Sequence, residues 1–127
     1  MKKNIFAVCD LEVDYALNFM DYLNHKKDII NTGVTIKEYE GGISYHGKSM
    51  TIDDDIAIVG SFNMDMRSAY IDTELMLVIN SKDINKQLKA SMEEYEKKAA
   101  TVKNETEYSH IPEGMKMKEL SDKKKNI

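Results

Sequence analysis

The sequence is short of the residues that would settle its class at once. Among 127 residues there is one cysteine, Cys9, so no disulfide can close within the chain, which fits a reducing compartment. There is no tryptophan and a single proline, Pro112, so the chain is neither proline-rich nor low in complexity. No apolar run approaches the roughly 20 residues needed to cross a bilayer. The run from Ile5 to Cys9, after Lys2 and Lys3, resembles the start of a signal peptide but stops at Asp10. That is shorter than a signal core of about 7–15 residues, and Val8 is not the small residue that a lipoprotein cleavage site needs. It reads as a short buried strand or turn. An excess of positive charge is also missing: 18 Lys and Arg face 22 Asp and Glu, for a formal net charge of -4. This argues against a non-specific DNA binder and leaves room for a local basic pocket.

What is present is an ordinary globular composition, 42% hydrophobic and 31% charged, enough for one domain with a modest core. A helix is expected from Asp10, as N-cap, to Gly33 at C′. Leu11, Val13, Leu17, Met20 and Leu23 fall on its inner face and Lys26, Lys27 and Asp28 toward water. The pattern loosens after Asn24, which suggests a break near His25. Val34–Tyr39 alternates like a half-buried strand. Ile43–Ile52 is strand-like, Asp53-Asp54-Asp55 reads as a tight turn, and Ile56–Val59 returns as a buried strand ending at Gly60. Leu75–Ile79 is the most apolar strand and is expected at the centre of a sheet. Ser81 caps a helix running to about Ala100. Residues 102–127 read as a polar, poorly packed extension, with Lys123-Lys124-Lys125 a solvated run rather than a membrane patch.

The chemistry concentrates between Ile43 and Glu74. His46, Lys48 and Asp53 stand in the spacing H-x-K-x-x-x-x-D, followed by Gly60-Ser61-x-Asn63, then Asp65, Arg67-Ser68 and Glu74. Alternation along a strand places His46 and Lys48 on one face. A hairpin at the aspartates brings Ser61 and Asn63 back beside them. Lys48 can neutralise a non-bridging phosphate oxygen while Ser61 and Asn63 donate hydrogen bonds to it. His46, in its unprotonated form, can attack phosphorus. A carboxylate on its other ring nitrogen would orient it, and Glu74 is the best placed. Asp53 alone is a turn residue. A metal site at His46 with Asp53, Asp54 and Asp55 is disfavoured, because the aspartates sit in a turn away from the histidine and no second histidine is spaced to help.

This stretch resembles the HKD motif of the phospholipase D superfamily, and more closely its cardiolipin-synthase-like bacterial branch. The matching runs are Ile52-Asp53-Asp54, Val59-Gly60-Ser61, Asn63-Met64-Asp65-Met66-Arg67-Ser68 and Glu74. The resemblance covers about Asp10 to Lys97. It implies an α/β fold: a phospholipase D-like lobe, spanning residues 1–101, with a mixed β-sheet flanked by helices and lacking its first strand-helix-strand unit. It implies hydrolysis of, or phosphatidyl transfer between, phospholipids through a phosphohistidine, with no cofactor and no metal. His46 would be the nucleophile or its acid/base partner. Lys48, Ser61 and Asn63 would hold the phosphoryl oxygens and Glu74 would orient His46. Asp53, Gly60, Asp65, Arg67 and Ser68 would be structural.

Two histidines are needed for that mechanism, and the chain carries one motif. His25 and Lys27 have Thr32 where the aspartate belongs, and His110 has no lysine in register. The partner expected is a second HKD-bearing lobe, either a missing N-terminal half or a second copy of the chain, with the fragment favoured. Single-motif homodimeric phosphodiesterases acting on nucleic acid are the alternative, along with an inactive remnant that only binds or dimerises. The acidic net charge and the Asn-x-Asp-x-Arg-Ser run favour the lipid. The expected location is the cytoplasm or the membrane periphery.

Overall fold

The computed structural model describes residues 7–10, 16–40 and 45–117. In chain order the elements are β1 (Ala7–Asp10), α1 (Ala16–Asn31), β2 (Ile36–Tyr39), β3 (Ser49–Ile52), β4 (Ile56–Gly60), α2 (Met66–Tyr70), β5 (Met76–Asn80), α3 (Lys82–Glu96), β6 (Ala99–Val102) and β7 (Tyr108–His110). They divide into two compact units, residues 1–45 with 95–127, and residues 46–94.

The first unit is a mixed sheet in the order β1-β2-β6-β7. β1 and β2 pair in parallel across α1, so residues 7–39 form a strand–helix–strand unit of their own. The short strand, helix and strand read from the sequence over this stretch are thus present. Asp10 pairs with Tyr39 in the ladder and is therefore a strand residue, not the cap of α1. Leu11 and Val13 lie outside the described residues. α1 continues unbroken past His25 and stops at the predicted glycine: Gly33 has φ +82°, a left-handed conformation that glycine adopts without strain.

Lys26, expected on the wet side, is buried with Glu38. Strand alternation puts Ile36 and Glu38 on the same face, so the carboxylate enters the core and needs a cation. Lys26 Nζ donates to Glu38 Oε1 at 2.7 Å, and Tyr22 donates to the same oxygen at 2.7 Å. Tyr108 donates to Oε2. Burial pushes the Glu38 carboxyl up, but these three donors outweigh it and hold it below the usual glutamate range. On the opposite side Tyr39 packs against Tyr45 and Tyr95, with Tyr45 and Tyr95 centroids 4.4 Å apart.

The boundary expected at Thr101 falls inside β6. Residues 99–110 form a hairpin whose turn is held by Asn104, which accepts from the N–H groups of Thr106 and Glu107. Ala99 and Ala100 are thus core strand residues rather than the end of α3, which stops at Glu96.

The second unit is an antiparallel sheet, β3-β4-β5, with α2 and most of α3. The predicted hairpin is present, Ser49 facing Val59 and Ile52 facing Ile56. Asp53 has φ +50°, which aspartate tolerates in a tight turn. Lys89 of α3 clasps this turn, donating to the Asp53 carbonyl at 2.5 Å and to Asp54 at 2.8 Å. Ser81 begins α3 as expected, and buried Asn85 donates to the Ile56 carbonyl at 2.6 Å. β5 is not central. β4 is the middle strand, and Leu77 and Val78 of β5 are exposed. Apolar composition made β5 fit for burial but did not name what would cover it.

Candidate active site

The second unit contains every candidate residue from His46 to Glu74. Hairpin pairing runs past the regular strands at the end remote from the aspartate turn. The Gly60 N–H donates to the Lys48 carbonyl at 3.0 Å, extending the β3–β4 ladder by one step. Ser61 N–H donates to the Leu75 carbonyl at 3.0 Å, extending the β4–β5 ladder likewise. The backbone therefore sets Lys48, Gly60-Ser61 and Glu74-Leu75 abreast, although they lie far apart in sequence.

Gly60 makes this possible. A Cβ there would meet the Leu75 carbonyl and the Met76 side chain at impossible range, and lie 2.9 Å from Met76 Cα. Two of these obstacles are backbone, so a methyl group must push β5 away. Gly60→Ala is expected to cost about 3 kcal/mol, the upper range for overpacking. A urea melt would register the loss, and amide exchange would locate it at Ser61 and Leu75.

Around Ser61 the side chains form a closed network. Glu74 accepts from Ser61 through Oε2 and from Ser68 through Oε1, the latter at 2.5 Å. Ser61 Oγ also accepts from Leu75 N–H at 3.1 Å. Ser68 Oγ accepts from Asn63 N–H at 3.2 Å, and Ser68 N–H donates to Asp65 Oδ1 at 2.8 Å, which caps α2. Arg67 pairs with Asp72 at 3.2 Å on the surface and contributes little, as exposed pairs do.

The hydroxyls of Ser61 and then Ser68 hold the Glu74 carboxyl below its usual range, with a smaller contribution from Lys48. Burial lowers Lys48, while the negative charges of Glu74 and Asp65 pull it back up. Its ammonium donates to the His46 carbonyl at 2.8 Å.

The structure thus gathers Lys48, Ser61, Asn63, Ser68 and Glu74, with two departures from expectation. His46 and Lys48 lie in the loop before β3 rather than within a strand, and the His46 side chain is exposed. Among the described residues no hydrogen bond joins His46 to Glu74, whose two oxygens each accept from a serine. Ser61 has one proton, and Glu74 takes it. The linking part played by Ser68 was not read from the sequence, although Asp65 three residues before it is the spacing of a helix cap.

Among the described residues, no three His, Cys, Asp or Glu side chains gather in a way that would hold a metal, and no helix is long and apolar enough to cross a membrane.

Comparison with known proteins gives a consistent result. Residues 9–95 match the family described as cardiolipin synthase, PLD-like domain. Cardiolipin synthase 1 of Staphylococcus epidermidis is 32% identical over 116 residues, covering 91% of this chain and 23% of that protein. Cardiolipin synthase A of Wigglesworthia glossinidia brevipalpis is 35% identical over 68 residues, 54% of this chain and 14% of that protein. The chain thus spans less than a quarter of the length of these relatives. A solved structure of a phospholipase D family member, Nuc from Salmonella typhimurium, superposes with a TM-score of 0.55 at 15% identity. The match covers 78% of this chain and 64% of that one, and speaks to the fold.

Proposed function

The chain belongs to the cardiolipin synthase, PLD-like domain family, and on that premise we propose that it supplies one HKD half-site for phosphodiester displacement on phospholipids. A ring nitrogen of His46 attacks phosphorus, forming an N–P bond as the P–O bond to the head-group alcohol breaks. The departing alkoxide takes a proton from a second histidine. That histidine then removes a proton from the incoming water or alcohol, whose oxygen displaces His46 from phosphorus. Lys48 and the Asn63 amide stabilise the charge on the non-bridging oxygens.

The observation that carries this reading is the double ladder extension, Gly60 to Lys48 and Ser61 to Leu75, which draws the separated parts of the motif to one end of the sheet. The second histidine comes from another HKD-bearing lobe, in a longer polypeptide or in a second copy. Membrane contact is peripheral.

Labelled phosphatidylglycerol carrying ³²P in its phosphodiester tests the proposal. Together with the lobe that supplies the second histidine, the chain is expected to take up label that survives alkali and is lost in acid, as phosphohistidine linkages are. EDTA should leave the labelling unchanged. Loss on chelation, restored by a divalent ion, would overturn the metal-independent mechanism. Alkali-labile label would overturn the histidine.

A further inference from the structure

Resting on that phosphodiester reading, we propose that Ser68 is a positioning residue of the site: its hydroxyl stands between Glu74 and Asn63 and sets where both are held. Ser68 is the buried residue of α2, a five-residue helix whose other side chains are exposed. Burial obliges its polar atoms to find partners, and each partner belongs to the site. The hydroxyl proton goes to Glu74 Oε1 at 2.5 Å, an oxygen lone pair takes the Asn63 N–H at 3.2 Å, and the Ser68 N–H goes to Asp65 at 2.8 Å.

One oxygen atom therefore ties the backbone of the phosphate-binding asparagine to the carboxylate that also holds Ser61. The chain of bonds runs Asn63, Ser68, Glu74, Ser61, Leu75, and its last link fixes the edge of β5. Glu74 acts in this arrangement as an anchor for two hydroxyls. With its single proton committed to Glu74, Ser68 has none for a phosphate oxygen, so it positions rather than reacts. Removing the hydroxyl leaves the Asn63 N–H and Glu74 Oε1 each short of a partner.

The test uses the full chain and needs no turnover. Carbon-13 NMR follows the titration of the Glu74 carboxyl, and inorganic phosphate serves as the binding probe. In Ser68→Ala the Glu74 midpoint is expected to rise, because one of its two hydroxyl donors is gone, and phosphate affinity to fall several-fold. Ser68→Thr, which keeps the hydroxyl, restores both. Ser68→Cys keeps the volume with a much weaker donor and should follow alanine, giving the same reading if the alanine variant does not fold. Wild-type Glu74 titration and phosphate affinity in folded Ser68→Ala or Ser68→Cys would overturn the assignment. A wild-type chain that binds no phosphate, while its Glu74 still responds to Ser68, would instead overturn the phosphodiester reading.

Discussion

His46→Ala is expected to abolish transfer of ³²P from labelled phosphatidylglycerol to the protein. Removing a nucleophile outright costs on the order of 10⁶ in rate where its partners act as one unit with it. His46 is exposed and lies just ahead of β3, so truncation removes little packing. Fold and stability should stay near wild type. Lys48→Ala provides the contrast. It removes a charge that stabilises the transition state but leaves the nucleophile, so labelling should slow by about 10²–10³ and still reach His46. The measurement is the initial rate of labelling, with a thermal melt of each variant beside it. Equal labelling of His46→Ala and wild type would refute the assigned nucleophile. A Lys48→Ala chain that labels at the wild-type rate would remove Lys48 from the site.

Glu38→Ala is expected to destabilise the first unit by about 3–5 kcal/mol. Truncating one member of a buried ion pair leaves the other charged and uncompensated, and that penalty dominates. Lys26 would lose its carboxylate, and the Tyr22 and Tyr108 hydroxyls would lose their acceptor. Urea unfolding measures the loss. The double variant Lys26→Met, Glu38→Leu should recover part of it, because the apolar pair removes the stranded charge while the Tyr22 and Tyr108 hydroxyls still lose the Glu38 acceptor. If Glu38→Ala matched wild type, the buried pair would not be what holds this unit together.

The same carboxyl gives a pH dependence. Its folded pKa lies below the ordinary glutamate value, so the folded state binds this proton less readily than the unfolded chain. The stability it contributes is fully present above the unfolded value of ~4.3. It is lost as pH falls from there through the lower folded value. In Glu38→Gln this component of the acid-side slope should disappear.

Much of the site was legible because its signals are local. H-x-K-x-x-x-x-D and Gly60-Ser61-x-Asn63 are read as spacings, and the hairpin between them follows from three aspartates flanked by β-branched residues. Gly33 and Ser81 marked helix ends for the same reason: each acts on backbone groups within a few residues of itself. Failures appear where a partner distant in sequence decides. Lys26 looked like a wet lysine until Glu38, twelve positions on, drew it inside. Val102 onward looked unpacked because neither the β6–β7 pairing nor the Tyr108 contact with Glu38 leaves a periodic trace. Glu74 was chosen as the site's carboxylate because it begins a strand expected beside the motif, but its serine partners were not read. Its two oxygens accept from Ser61 and Ser68, which the ladder and the α2 turn bring beside it.

The sequence by itself determined the chemistry available: one histidine, one lysine and one asparagine in phosphodiester-handling order, on a hairpin its own turn residues specify. Only the tertiary structure decided which partners surround them: Glu74 holding Ser61 and Ser68, and Ser68 holding the Asn63 backbone. A side chain's type and spacing fix what it can donate or accept. Which partner takes its limited protons and lone pairs depends on strand pairing between residues far apart in the chain.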